Sequence, residues 1–182
     1  MARSWPYLVL LLPPLFWAGN FIVGRAFSSD LGAITMSFYR WLLALVLLLP
    51  ISFLTVRVEL PIILKNLPIL TLLALLSVAS FNVLLYLGLR DTEATNALLI
   101  NSSIPVWIVL FGVIFYGDSL TKRQGLGIST SLAGVIFLIL SDLNDNLQIN
   151  SGDLWVIASS IGWALYSLTL RKKPNELSGL GF

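Results

Sequence analysis

The feature that most constrains this chain is a series of long stretches without charge. Residues 7–24, 67–89, 94–117, 124–141 and 154–170 contain no Asp, Glu, Lys or Arg, and residues 34–56 contain only Arg40. Each stretch is close to the roughly 20 residues an α-helix needs to cross about 30 Å of hydrocarbon. Lipid offers backbone N–H and C=O groups no partner, so such runs fold as helices that satisfy their own hydrogen bonds. The sequence therefore predicts an all-α, polytopic transmembrane helix bundle of six spans. These cover about residues 7–25, 34–56, 67–89, 94–117, 122–141 and 153–171. Short connections between them make chain neighbours antiparallel. Composition agrees: charged residues make up 11% of the chain, where a soluble domain carries about a quarter. Arg3 ahead of the first apolar run suits a cleaved signal peptide. That run continues through Pro13, Pro14, Trp17 and Asn20, which favours an uncleaved first span.

Lysine and arginine placement orients the bundle. One set of span ends holds Arg3, Arg57, Lys65, Lys122, Arg123, Arg171, Lys172 and Lys173, and the other only Arg25 and Arg90. The loop from residue 142 to 150 has no positive charge. The positive-inside rule then places the N-terminus in the cytoplasm, and the sixth span ends there too. In a bacterial cell the membrane concerned is the inner one.

Several boundaries carry local signals. Thr121 and Gln124 have capping-box spacing ahead of the fifth span, with Asp118 just upstream. Asp91 and Glu93 precede the fourth span and Asp153 opens the sixth, where carboxylates complement a helix N-terminus. Pro13, Pro14 and Pro105 lie within predicted spans and are expected to bend them. Gly127, Ser131 and Gly134 share one face of the fifth span as a small-residue packing stripe.

Much chemistry is excluded by what is missing. The chain has no cysteine and no histidine, so thiol chemistry, Cys or His metal ligation and imidazole general-base catalysis are unavailable to it. Every carboxylate (Asp30, Glu59, Asp91, Glu93, Asp118, Asp142, Asp145, Asp153 and Glu176) falls in a loop or at a helix end, so no acid within a span is placed to carry a coupling proton. An intramembrane enzyme lacks its nucleophile–base pair or metal cluster here. Nothing points to a cofactor or a metal, and a net charge of +2 gives no nucleic-acid footprint.

Shifting the sequence by 146 residues lays the sixth span on the first. Leu8 falls on Leu154, Trp17-Ala18 on Trp163-Ala164, Arg25 on Arg171, and Leu31 on Leu177. Each Trp-Ala pair is followed by a helix-closing arginine at the same spacing. The repeating unit, residues 1–146, then holds five spans, and residues 147–182 begin a second copy. An odd number of spans inverts that second copy, as in secondary transporters whose substrate site lies near the midplane between the halves. This predicts a ten-helix protein, with about 110 to 120 further residues supplying the missing second half of the same polypeptide. The other reading is a complete six-span protein.

The motifs resemble those of the EamA-type proteins of the drug/metabolite transporter superfamily. Residues 16–25, FWAGNFIVGR, are similar to that family's first-helix pattern of tryptophan, a small residue and Asn-Phe followed by a basic residue. Phe38-Tyr39-Arg40-Trp41 is similar to its second-helix element, and residues 94–120 to its proline-bearing fourth helix that closes on Gly-Glu. Asp118 stands where the family usually has glutamate. Residues 152–171 resemble the opening of the second copy. The resemblance implies ten helices, inverted repeats, and export or exchange of small metabolites.

At about 1.5 Å of rise per residue, Arg40 lies roughly 9 Å below the outer end of its span, Trp17 about 12 Å, Asn20 about 8 Å, and Asn82 and Asn101 about 10 Å. Trp163 and Tyr166 fall near the midplane. These seven are the candidate substrate-binding residues, with Pro105 as a candidate hinge. A charged side chain within a span usually faces a cavity or a partner, and guanidinium suits an anionic or zwitterionic ligand. The alternatives for Arg40 are snorkelling to the outer interface or donating to broken backbone near Pro105. For Asn82 and Asn101 the alternative is hydrogen bonding between helices. Trp17 serves equally in stacking on a ligand or in packing. Tyr86 reads as an interfacial-belt residue. The sequence thus predicts a transporter of small polar metabolites, such as amino acids or related anions and zwitterions, working by alternating access in a lipid bilayer. The competing reading is a non-transporting membrane subunit or scaffold.

Overall fold

A computed structural model describes residues 9–141 and 150–182. The expected start of the first span, Arg3, and most of the loop after the fifth span, with Asp142 and Asp145, lie outside these residues. The described residues form helices and no strand. In chain order they are α1 (Leu12–Ala26), α2 (Ala33–Lys65), α3 (Leu67–Asp91), α4 (Ala94–Tyr116), α5 (Lys122–Ser141) and α6 (Ser151–Thr169), the last extended by a 3-10 turn at Leu170–Lys172. Four segments are long and apolar enough to cross a membrane: Ala33–Lys65, Leu67–Asp91, Ala94–Tyr116 and Ser151–Lys172. Their outward surfaces are studded with exposed Leu, Ile, Val and Phe, the finish of a protein solvated by lipid.

Helix α2 runs nine residues past its predicted end at residue 56. Arg57, Glu59 and Lys65 signal departure from hydrocarbon, but leaving a membrane does not end a helix. At 33 residues it is about 50 Å long, well over the thickness of the hydrocarbon. Helix α3 is continuous but not uniform: its middle, Leu75–Asn82, widens into a π-helical segment. Helix α4 breaks at Ser102 and Ser103 and resumes at Ile104. Pro105 has no N–H for the Asn101 carbonyl, and it sits in the first turn of the resumed helix, where that loss is tolerated. The break therefore lies just ahead of the proline rather than on it. Pro13 and Pro14 likewise occupy the first turn of α1, behind turn residues Leu10 and Leu11.

Side-chain caps form at the starts of α5 and α6, whereas Glu93 at the start of α4 makes no cap hydrogen bond. Thr121 and Gln124 close the predicted box, with the Thr121 N–H donating to Gln124 Oε1 at 3.0 Å and the Gln124 N–H to Thr121 Oγ1 at 3.3 Å. Asn150 and Asp153 form a second box at the start of α6. Asp118 caps no helix. Gly117, at φ 66°, turns the chain out of α4, and Asp118 pairs with Arg171 through two hydrogen bonds of 2.8 and 3.1 Å. That hydrogen bond, followed by the charge of Arg171, holds the carboxyl of Asp118 below its usual range.

The core lies between α3 and α6, with α1 and α4 against them. Phe21, Phe81, Leu85, Tyr86, Leu89, Ala97, Ile100 and Val156 are buried together. Glycines set the closeness of the crossing. A Cβ on Gly88 would lie 2.6 Å from Val156 Cγ2, and one on Gly152 would lie 2.6 Å from the Gly88 carbonyl oxygen. Lower on the same seam, a Cβ on Gly162 would meet Ser80 Oγ at 2.7 Å. This is the small-residue contact by which membrane helices approach. The predicted stripe on α5 plays no such part here: a Cβ on Gly127 or Gly134 would meet nothing within 4 Å.

Candidate functional site

Three helices converge on Arg40. Its Nη1 lies 2.7 Å from Asn20 Oδ1 of α1, and 2.9 Å from Asn82 Oδ1 and 2.8 Å from the Tyr86 hydroxyl of α3, and donates to this ring of acceptors. Tyr86 in turn donates its proton to Asn20 Oδ1 at 2.9 Å. The π-helical segment sets the geometry of Asn82. Its Nδ2 donates to the Ser77 carbonyl at 2.8 Å, five residues back, so its oxygen faces the guanidinium. Wide turns of this kind recur at functional sites.

All of these partners are neutral. Among the described residues the ion pair is Arg171–Asp118, at 2.8 Å, and no carboxylate pairs with Arg40. Arg40 is exposed, while Asn82 and Tyr86 are 3% and 1% exposed. Among the described residues the result is a cation with one nitrogen fixed by a polar cluster, its charge unneutralised and the rest of its donor fork unbonded. Tyr86, read from the sequence as a belt residue, is instead a buried member of this cluster. Its one-turn spacing from Asn82 was the signal that would have found it.

The other candidates divide. Trp17, Trp163 and Tyr166 form an aromatic group with Phe81. Trp163 stands edge-on to Trp17 at 6.0 Å between centroids, 4.7 Å from Phe81 and 5.0 Å from Tyr166. Asn101 does not join the Arg40 cluster. It accepts from Ser160 Oγ at 2.9 Å, a bond between α4 and α6, so its equal depth hid a different facing. Pro105 follows the break in α4.

Two openings lie beside Trp41, the neighbour of Arg40 in α2. A groove of about 280 Å³ runs between α2 and α3, lined by Ser37, Phe38, Trp41, Leu42, Leu45 and Val78. A cavity of about 360 Å³ continues toward the other end, where Trp41, Leu73, Val78, Tyr166 and Phe182 contribute walls. Trp41 belongs to both, and its ring lies 6.0 Å from the Arg40 guanidinium carbon.

The helix ends are fastened differently. At the end holding Arg25, its Nη1 donates to the Leu89 and Arg90 carbonyls at 2.6 Å each, and Thr92 donates to Asp153 at 2.6 Å. At the opposite end, α4 and α6 are joined by Asp118–Arg171 and by the Tyr116 hydroxyl, which donates to the Leu168 carbonyl at 3.3 Å. The Arg171 guanidinium carbon also lies 5.1 Å from the Tyr116 ring centroid.

Comparison with known proteins matches the sequence to a family. Residues 4–140 fit the EamA-like transporter family. An "Uncharacterized transporter YyaM" of Bacillus subtilis is 27% identical over 169 residues, covering 91% of this chain and 55% of the relative. An "Uncharacterized transporter" of Archaeoglobus fulgidus is 30% identical over 168 residues, covering 91% and 57%. Human "Solute carrier family 35 member F6" is 31% identical over 85 residues, 43% of this chain and 23% of that protein. The chain spans about half the length of the curated relatives it matches along most of its own. No solved structure matches it significantly. With long apolar helices and a family match across three quarters of its length, the chain is a multi-pass membrane protein and belongs to the EamA-like transporter family.

Proposed function

We propose that this chain forms part of a transporter that moves small polar metabolites, amino acids or related anions and zwitterions among them, with Arg40 as the ligand-binding cation. One observation carries the reading: an arginine well inside an apolar span is held by Asn20, Asn82 and Tyr86, all neutral, with its charge left free. An arginine whose role was structural would be expected to spend its donors on carbonyls or a carboxylate, as Arg25 and Arg171 do. The aromatic group of Trp17, Trp163 and Tyr166 gives such a site a wall. Asn101, tied to Ser160, supports packing alone.

In this reading all six helices cross the bacterial inner membrane, with the N-terminus cytoplasmic. Residues 1–146 form one five-helix unit and α6 opens an inverted second one, which alternating access requires. Relatives about twice as long support that arrangement. The test is Arg40→Ala in the full-length polypeptide, with transport measured in vesicles beside membrane insertion. Transport is expected to vanish with insertion intact. Unchanged transport would remove Arg40 from the site, and a wild type that moves no solute would leave the scaffold reading standing.

A further inference from the structure

We propose that the ligand of Arg40 is an organic anion with an apolar body, the acid group on the guanidinium and the body against Trp41 in the groove between α2 and α3. The inference rests on the reading of Arg40 as a ligand-binding cation, and it narrows the chemistry from polar metabolites in general.

Charge sets the head group. The neutral cluster leaves a full positive charge on Arg40, and a guanidinium fork matches carboxylate in two-point contact. Among the described residues no carboxylate stands beside it to receive an ammonium, so an anion fits this half of the site better than a zwitterion.

The walls set the body. Trp41 lies against the guanidinium and lines both openings. Ser37 and Arg40 share a turn of α2, as Val78 and Asn82 share a turn of α3, so the groove opens within about one helical turn of the cluster. The groove's other walls are Phe38, Leu42, Leu45 and Val78. In the adjoining cavity, the Ser77 hydroxyl is turned back onto the Leu73 carbonyl at 2.9 Å. A hydrophilic solute would lose its hydration to these surfaces and gain nothing, whereas an aryl or alkyl group is stabilised by them. The volumes, about 280 and 360 Å³, suit a compact ligand. Depth separates a soluble anion from a lipid: Arg40 lies roughly 9 Å inside the span, below the level of phosphate head groups.

The test is calorimetric titration of the full-length polypeptide in nanodiscs of zwitterionic lipid with 3-phenylpropionate, acetate, 3-phenylpropan-1-ol and phenylalanine. Phenylpropionate is expected to bind about tenfold tighter, or more, than each of the others. Arg40→Gln should erase its advantage over the alcohol, and Trp41→Ala its advantage over acetate. Val78→Trp, which fills the groove, should weaken phenylpropionate and spare acetate, and thermal melting checks that each variant folds. Equal binding of acetate and phenylpropionate would overturn the apolar body while leaving Arg40 in place. Anions no better than the alcohol would remove Arg40 itself. Phenylalanine binding as tightly as phenylpropionate would overturn the preference for an anion over a zwitterion. Binding abolished by phosphatidylglycerol in the nanodisc would assign the groove to lipid, and no binding by any probe would likewise overturn the proposal.

Discussion

Helices α2 and α6 contrast in what surrounds them. The 33 residues of α2 are the richer in leucine, yet its buried residues are Ala33 and Ser37. Helix α6 carries Ser, Gly and Ala through its length, and it buries Gly152, Val156, Ser159, Ser160, Gly162, Ala164 and Leu168. In water the order would be reversed, with the greasier helix inside. In lipid, bulky aliphatic residues have no reason to leave the solvent, and helix contact depends on close van der Waals approach and on hydrogen bonds. Small residues therefore mark the contact of α6 with α3, and large apolar ones mark the outer face of α2.

The contrast can be broken most forcibly at Gly152. A side chain there meets Thr92 Oγ1 and the Gly88 carbonyl, at 2.5 and 2.6 Å from the Cβ. Gly152→Leu should cost about 3 kcal/mol or more by forcing α3 and α6 apart, seen as a large drop in melting temperature in detergent. Leu47→Ala on α2, where the side chain is 61% exposed, should leave the melting temperature within about 1 °C of wild type by the same measurement. A drop there would mean that protein rather than lipid covers that face.

Tyr86→Phe probes the polar cluster next to the seam. Losing one hydroxyl shared with Arg40 and Asn20 should cost about 1 kcal/mol in stability and lower transport severalfold. A tyrosine serving only as a belt anchor would show neither effect. Ser160→Ala removes the bond to Asn101 and should cost about 0.6 kcal/mol, the usual worth of a hydrogen bond between membrane helices, with transport retained. Asp118→Asn is expected to have the smallest effect, and one that depends on pH. Its folded carboxyl titrates below the ordinary value of 3.8, so the stability it adds is present above that pH and disappears as pH falls through the lowered value. Melting curves of wild type and variant should differ slightly at neutral pH and coincide in strong acid.

The helices themselves were legible because the absence of charge over about 20 residues has one structural meaning in lipid. Their ends were less so. Residue 56 is where charge is about to return to α2 but a poor estimate of where the helix stops. Depth along a span was also legible, since rise per residue is fixed, and it grouped Arg40, Asn20 and Asn82 correctly. Azimuth was not legible. It separates Asn101 from that group and adds Tyr86 to it, and it depends on the break at Ser102 and Ser103 and on the π-helical segment that rotates α3 below Asn82. The stripe of Gly127 and Gly134 shows the same limit: small residues announce a contact without saying with what. The Gly88–Gly152 crossing required two distant segments to be placed together before its meaning could be seen.

The position of α6 has a consequence for biosynthesis. The ribosome delivers this helix after the other five, yet it takes the central place among α1, α3 and α4, bringing Val156 into their core and Trp163 against Phe81. The earlier helices are therefore made with their mutual interface unfinished, and Gly88 and Ser80 wait for partners some sixty to eighty residues downstream. Until then Asn101 and Thr92 lack the Ser160 and Asp153 partners that the last helix brings. An insertion factor that shelters polar groups between membrane helices would find its substrate in this interval, after α3 has emerged and before α6 arrives.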